Sequence, residues 1–462
     1  MSDFDWQDKR ILVVGIGRSG YDVARVLHER GAQVTACDAG TPALAYDLSV
    51  MGVRVLTEWK AGLPNEAFDI VVTSPGVPPE GPVLQEAVAR GIPVWSEVEL
   101  AYRLSRAPIV AVTGTNGKST TAALTAHILN TAGYRAVLCG NIAGEGLERT
   151  LTDAAAYAQP EDILVAEVSS FQLEWVHAFR PHVGVWTTLS ADHLNRHRSM
   201  QEYGETKARL FRQQTEQDYA VLPGDDAFIL SLVNTRAKRI YFSHQNLNTN
   251  DVPCVCGLAD GVYLREGTGI SQVASLKAFR LLGEHNRRNL AAAIAVCFAW
   301  RVTGKQIEEA IATFQPLPHR MEWVAEIDGV QYVNNSMCTN LHALQESIKA
   351  VPTSAVFIIG GVDKSQSPFE MLVPLLREKA RGVVLIGADA ERIEQQLRRV
   401  GWEHIIRSDS LDDAVRQAAK MARRGDWVML SPGCASFDMF TDFQERGRIF
   451  RDIVHRLEQG DE

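Results

Sequence analysis

Ile109-Val-Ala-Val-Thr113 runs straight into Gly114-Thr-Asn-Gly117-Lys118-Ser119-Thr120. The first five residues are apolar or β-branched and carry no charge, as a strand buried on both faces requires. Past the glycines, Ala122, Leu124, Ile128 and Leu129 lay an apolar stripe along a helix. Strand, glycine turn and helix together let backbone N–H groups at a helix start wrap phosphate oxygens. Lys118 can then reach the outer phosphates of a triphosphate, and a hydroxyl at Ser119 or Thr120 can hold Mg²⁺. The strict GxxxxGK[ST] spacing would need glycine at position 112, which is Val112, so the loop is a shortened variant. The reading is an ATP site on Gly114, Thr115, Asn116, Gly117, Lys118, Ser119 and Thr120, with an incidental glycine turn as the plain alternative.

The same rhythm recurs on both sides. Upstream, Arg10-Ile-Leu-Val-Val14 is a strand, Gly15-Ile-Gly17-Arg-Ser-Gly20 a glycine turn and Tyr21 to Arg30 a helix. Val34 to Asp38, Ile70 to Val72 and Ile92 to Trp95 are further strands of that unit. The GxGxxG turn, with Asp38 closing the next strand, is suited to a diphosphate. It fits a nicotinamide dehydrogenase and another nucleotide-diphosphate ligand equally well, with mere tight packing as the lesser alternative. Downstream, Asp162 to Glu167 and Val183 to Thr187 are buried-type strands, and Pro316-Leu-Pro318 breaks any helix and marks a hinge. Beyond it, strands at Ala355 to Gly360, Val383 to Ile386 and Trp427 to Leu430 alternate with helices at Leu341 to Ala350, Ala390 to Arg399 and Leu411 to Arg424. The expected fold class is α/β in three domains: 1–104, 105–316 and 317–462.

Bulk properties exclude more than they assign. At 462 residues the chain has room for about three domains. Its 47 basic and 56 acidic residues leave a net charge of −9, so a broad nucleic-acid surface is not expected. The longest apolar run, Asn289 to Trp300, is well short of the roughly 20 residues of a membrane span. No basic-then-apolar leader opens the chain, and the 7 cysteines show no CxxC, which fits reduced thiols in a cytoplasmic protein. Two phosphate loops on separate units suit an enzyme that binds a nucleotide-linked substrate with one and spends ATP with the other.

Other residues read as follows. Glu167, at a strand's C-terminal end, is placed for Mg²⁺ or is a solvated strand end. His193, beside Asp192, is a second metal ligand or a structural histidine. His197 reads as surface, and Lys207, in Tyr203-Gly-Glu-Thr-Lys-Ala-Arg-Leu210, as an exposed helix lysine. Asn286 and Asn289 either bind an adenine edge or cap the Ala-rich helix that follows. Arg320 could swing a guanidinium onto a phosphate when domains close, or lie on the surface.

Gly-Thr-Asn-Gly-Lys-Ser-Thr, Glu167-Val-Ser-Ser-Phe-Gln-Leu-Glu174, Asp192-His193, His285-Asn286-x-x-Asn289 and Leu317-Pro-His-Arg320 occur in one order. As a set they resemble the ATP-dependent Mur ligases of peptidoglycan synthesis. The Ser-Ser-Phe-Gln-Leu-Glu run and Ser431-Pro-Gly-Cys-Ala-Ser436-Phe-Asp-Met-Phe440-Thr-Asp-Phe443-Gln-Glu-Arg-Gly447 are most similar to the branch that adds D-glutamate. The resemblance covers essentially the whole chain. It implies a Rossmann-like UDP-binding unit, a central P-loop ATPase-like domain with a parallel or mixed sheet, and a C-terminal Rossmann-like unit for the amino acid. It implies UDP-N-acetylmuramoyl-L-alanine, D-glutamate and ATP as substrates, two Mg²⁺ ions and a monomer. Arg18, Ser19, Asp38, Gly76 and Asn141 then match UDP contacts, and Asn286, Asn289 and Arg320 match nucleotide contacts. Ser119, Glu167 and His193 match metal positions, while Lys207 matches a lysine that is carbamylated in the family. Thr339, Lys364, Ser436 and Phe443 match glutamate positions, with His319, Arg320 and Lys364 brought onto the reactants by domain closure.

Two departures stand out. The family usually reads Asn-Asp-Ser-Lys-Ala-Thr-Asn where this chain has Asn334-Asn335-Ser336-Met337-Cys338-Thr339-Asn340, losing one charge of each sign. Gly40 stands where arginine is common. A ligase adding L-glutamate or another acidic amino acid, and a catalytically silent binding protein, are the alternatives these changes leave open.

Overall fold

The computed structural model describes residues 5–142, 149–194, 196–247, 249, 252–279, 281 and 283–459. Among them, twenty strands form three sheets. The first holds β1 (Arg10–Val14), β2 (Gln33–Cys37), β3 (Arg54–Leu56), β4 (Ile70–Thr73) and β5 (Val94–Ser96), in the order β3-β2-β1-β4-β5 and parallel throughout. The reversal on either side of β1 leaves a crevice at the strands' C-terminal ends, where such sheets bind ligands.

The central sheet is built from β6 (Ile109–Thr113), β7 (Arg135–Gly140), β8 (Asp162–Glu167), β9 (Val183–Trp186), β10 (Tyr219–Pro223), β11 (Lys238–Ser243), β12 (Cys254–Gly257), β13 (Gly261–Glu266) and β14 (Gly269–Ser275). Its order is β14-β13-β12-β11-β10-β9-β6-β8-β7, parallel from β7 to β12 and antiparallel at the β13 and β14 edge. The strands around β6 are buried along their length, which is why they read as unbroken apolar runs. The β13–β14 hairpin has a solvated face and mixed composition, so it left no apolar signature.

The third sheet contains β15 (Glu322–Ile327), β16 (Val330–Asn334), β17 (Ala355–Gly360), β18 (Ala380–Ile386), β19 (Ile405–Arg407) and β20 (Trp427–Leu430), ordered β15-β16-β20-β17-β18-β19. All pairs are parallel except the β15–β16 hairpin. Asp328 and Gly329 turn that hairpin with φ of 52° and 78°, the left-handed pair a tight two-residue hairpin needs. Two helices differ from expectation: the first begins at Arg18, and the helix from Leu411 stops at Met421. The second stops early because the chain turns back through Gly425, and Asp426 captures the Arg423 N–H.

The chain folds as two compact units, Met1–Phe279 with Arg288–Phe314, and residues 280–287 with Gln315–Glu462. Within the first unit the first two sheets share one hydrophobic core, in which Ile11, Val98 and Leu100 pack with Leu151, Leu173 and Phe179. Glu99 pins this seam: its fully buried carboxylate accepts the N–H groups of His177, Ala178 and Phe179 at 2.9–3.0 Å. The helix Glu97–Leu104, where the first boundary was expected, therefore lies inside a packed interface.

Candidate active site

The loop between β6 and the helix Lys118–Thr131 is held open by two glycines that nothing else can replace. Gly114 has φ 145°, and a Cβ there would sit 2.0 Å from Thr187 Oγ1. Gly117 has φ 86°, and its Cβ would meet Asn289 Oδ1 at 2.4 Å. Side chains just past β9 complete the cradle. Thr187 Oγ1 donates to the Asn116 carbonyl at 2.6 Å, while the N–H groups of Asn116 and Thr115 donate to Thr188 Oγ1 and O at 2.9 Å. A loop so braced presents fixed N–H groups to an anion.

Lys118 arches back over this loop, its Nζ donating to Thr115 O at 2.9 Å and lying 3.9 Å from Glu167 Oε1. The Ser119 hydroxyl donates to Glu167 Oε2. Glu167 reaches this position because β8 pairs with β6 in a register that puts it beside Val112. Ser119 and Glu167, 2% and 3% exposed, are hard oxygen donors at the rim of a phosphate loop, a donor set that fits Mg²⁺. Among the described residues no three His, Cys, Asp or Glu side chains converge into a cage.

Lys207 corrects the reading from its local pattern. It is 1% exposed, and its Nζ lies 3.0 Å from Gly114 O, 3.5 Å from Thr113 Oγ1 and 4.6 Å from the Tyr203 ring centroid. Burial, then the charge of Lys118, drives its amine well below the usual lysine range. His197 is likewise interior rather than surface: it is 2% exposed, bonds Ser170 Oγ at 2.9 Å and packs on Tyr203. Burial, with Lys207 as the second cause, lowers its pKa to about 4. His193 stands half-exposed with φ 54°, its ring edge-on to Phe171 and its Nε2 3.7 Å from Asp192 Oδ2.

A second cavity, of about 610 Å³, opens at the C-terminal ends of the first sheet. Arg18, Ser19, Asp38 and Gly76, which the family resemblance matched to UDP contacts, line it, and so do Trp59 and Lys60, which sequence reasoning missed. Asp38 is engaged in building the turn, since its carboxylate accepts the Ile16 and Gly40 N–H groups at 2.7 and 2.8 Å. Gly20 packs against the turn so closely that a Cβ would lie 1.8 Å from Gly15 O. The residues lining this cavity do not include Asn141, which follows β7 and donates its N–H to the Glu167 carbonyl at 2.8 Å.

In the second unit, Thr339, Lys364 and Ser436 lie on loops, and Phe443 opens the helix Phe443–Gln459, with these segments tied to one another. The Gly433 N–H donates to Cys338 O at 2.8 Å, and Ser336 Oγ donates to Phe443 O at 2.7 Å. Arg446 is 1% exposed and binds the carbonyls of Ser336 and Cys434 at 2.8 and 3.2 Å, joining the two loops from beneath. Nothing in its local pattern singled it out. Asn335 faces inward, its Nδ2 donating to Ser347 Oγ and Ser431 Oγ at 2.8 and 3.1 Å. His319, expected to meet reactants, is 0% exposed, with Nδ1 3.0 Å from Asn334 Nδ2. It supports the loop that carries Arg320 and presents no surface to a substrate. Asn286, 4% exposed, lies in the first turn of the helix Glu284–Cys297, and Asn289, 7% exposed, backs Gly117.

With this geometry in hand, family and relatives agree along the whole chain. Residues 9–96 match the Mur ligase MurD-like N-terminal domain, 112–297 the Mur ligase middle domain and 319–434 the Mur ligase glutamate ligase domain. A UDP-N-acetylmuramoylalanine--D-glutamate ligase of Pelotomaculum thermopropionicum is 40% identical over 99% of both chains. Its counterpart in Geobacter metallireducens is 37% identical over 98% of both. In fold, the chain is similar to UDP-N-acetylmuramate-alanine ligase of Thermotoga maritima, with TM-score 0.61, 16% identity and coverage of 98% and 99%. It is equally similar to the MurF ligase of the same organism in complex with ADP, with TM-score 0.61, 17% identity and coverage of 98% and 96%. Among the described residues no helix is long and apolar enough to cross a membrane. The chain belongs to the Mur ligase family.

Proposed function

We propose that this chain joins D-glutamate to UDP-N-acetylmuramoyl-L-alanine, converting ATP to ADP and phosphate. The observation that carries the reading is the Lys118–Ser119–Glu167 cluster on the β6 loop, in a chain whose full-length relatives bear that activity in their names. The uridine nucleotide occupies the cavity lined by Arg18, Ser19 and Gly76, and ATP lies on the loop from Gly114 to Thr120, with Asn289 behind it. Both substrates are nucleotides of the cytoplasm, where the reaction is placed.

A free carboxylate is a poor acyl donor, so the γ-phosphoryl of ATP is first transferred to it. The amine of glutamate then attacks the acyl phosphate, and a tetrahedral intermediate expels phosphate. Lys118 and the fixed loop N–H groups stabilise the charge gathered on the transferred phosphoryl. Ser119, Glu167 and His193 are the residues that would hold Mg²⁺, which supplies further neutralisation of that charge when bound. Buried Lys207, its amine kept neutral, adds to carbon dioxide and gives up one N–H proton to water, leaving an anionic carbamate beside Lys118. In the second unit, Thr339, Lys364, Ser436 and Phe443 bind the glutamate.

The test is a coupled phosphate-release assay with UDP-N-acetylmuramoyl-L-alanine and, in turn, D-Glu, L-Glu, D-Asp and meso-diaminopimelate. Turnover confined to D-Glu is the expected result. Turnover with L-Glu alone would keep the family and replace the amino acid, and no turnover with any would leave a silent binding protein.

A further inference from the structure

Lys364 and Phe437 come from different loops of the second unit, yet the ammonium of Lys364 lies 4.7 Å from the centroid of the Phe437 ring. Phe437 is 64% exposed, so its ring does not serve a core. Both loops are pinned beside this contact. Val362 and Ala435 exchange two backbone hydrogen bonds at 2.9 Å. The Asp363 carboxylate captures the N–H groups of Ser365 and Ser367 and the guanidinium of Arg392. Asp438 accepts the Ala388 N–H at 2.7 Å. The backbone on either side is therefore set, and the freedom that remains is in the four-carbon stem of Lys364. Among the described residues no carboxylate reaches ion-pair distance of that ammonium.

We propose that Phe437 is a positioning residue, whose ring face holds the Lys364 ammonium for the side-chain carboxylate of the incoming acidic amino acid. The inference rests on the reading that these loops take the amino acid. A cation over a ring is attracted to the face of the π-system, and its outward N–H groups stay available to a carboxylate. The ring thus restricts the ammonium without neutralising it, which an acidic neighbour would do. An aliphatic side chain of similar bulk would pack there without that attraction.

Steady-state phosphate release with D-glutamate varied tests this. Phe437→Leu is expected to raise KM for D-glutamate about fivefold, the size of an exposed cation–π contact, with a much smaller change in kcat. KM for ATP and the thermal midpoint should stay put, and Phe437→Trp should keep KM near the wild-type value. In a Lys364→Met background, Phe437→Leu should add no further rise. An unmoved KM in Phe437→Leu, or an equal rise in the Lys364→Met background, overturns the inference while wild-type turnover with D-glutamate stands. Wild-type protein that ignores every acidic amino acid overturns the proposed reaction and this inference together.

Discussion

Lys207 Nζ lies 3.0 Å from the carbonyl oxygen of Gly114, on a side chain that is 1% exposed. Burial with a cationic neighbour favours the neutral amine, the form that adds carbon dioxide. Lys207→Ala is expected to lower kcat at least about a hundredfold, the loss typical of a missing electrostatic group at a phosphoryl-transfer site. Added short carboxylates should restore part of the rate, because an anion can re-enter the space left by the carbamate. Activity measured with and without bicarbonate in the buffer, and rescue by acetate or formate, decide the matter. Wild-type rates in the Ala variant would remove the carbamate from the mechanism.

Lys207 also shows where sequence reasoning stops. Its helix mixes polar and apolar residues without a clear apolar stripe, so the local pattern reads as solvent-exposed. Burial comes from Thr113 and Gly114, which the end of β6 brings against it, and from Tyr203 one turn earlier on its own helix. The phosphate loops were legible because glycine positions are dictated by backbone geometry: Gly114 and Gly117 adopt φ values of 145° and 86° that other residues resist. Parallel strands such as β8 and β17 were legible from unbroken apolar runs. The β15–β16 hairpin carries a readable Asp328-Gly329 turn signal, but its strands are mixed in polarity and leave no unbroken apolar run. Asn335 stood out as a departure, but its inward orientation did not, and the role of Arg446 left no local sign, since each depends in part on a partner roughly a hundred residues distant.

Asn335 gives a prediction with a definite sign. Its amide donates to two serine hydroxyls, and Ser347 already uses its own proton on the Ala343 carbonyl at 2.7 Å. A carboxylate at 335 would keep the Met321 N–H on one oxygen, but its other oxygen would face serine hydroxyls that must rotate to donate, in a site only 7% exposed. Asn335→Asp should therefore destabilise the protein by about 2 kcal/mol at pH 7.5, the cost of a poorly satisfied buried charge. Lowering the pH to 5 should recover part of this as the carboxyl protonates. Urea unfolding at the two pH values checks both statements, and a stabilised variant would contradict the direction of both hydrogen bonds.

His197 predicts the acid limb of stability. Its folded-state pKa of about 4 lies below the ordinary histidine value of 6.5, so between these values the unfolded chain binds more protons. Stability is therefore lost as the pH falls from 6.5 toward 4. Burial is the larger cause, so the sign survives a carbamate at Lys207. His197→Gln, which can still bond Ser170, should be less sensitive by about 3 kcal/mol across that window, at 1.36 kcal/mol per unit. Unfolding free energies at pH 7, 5.5 and 4 provide the comparison, and parallel curves for variant and wild type would refute it.

Gly447 provides the sharpest conflict between local and tertiary preference. It lies inside the helix Phe443–Gln459, where replacing glycine by alanine ordinarily stabilises by about 1 kcal/mol. Here the added Cβ would lie 2.2 Å from His319 Nδ1, and His319 has nowhere to retreat: it is 0% exposed and bonded to Asn334. Asn334 in turn donates to the Gly447 carbonyl at 3.0 Å, so a shift of the helix would break a second bond. Gly447→Ala should reverse the usual sign and destabilise by about 2 kcal/mol, the range of an overpacked core. In a His319→Ala background the clash is gone, and the same substitution should cost less or become favourable. Thermal unfolding of the four proteins in the cycle measures that coupling directly. Equal effects of Gly447→Ala in both backgrounds would mean that the helix, and not the imidazole, sets the requirement for glycine.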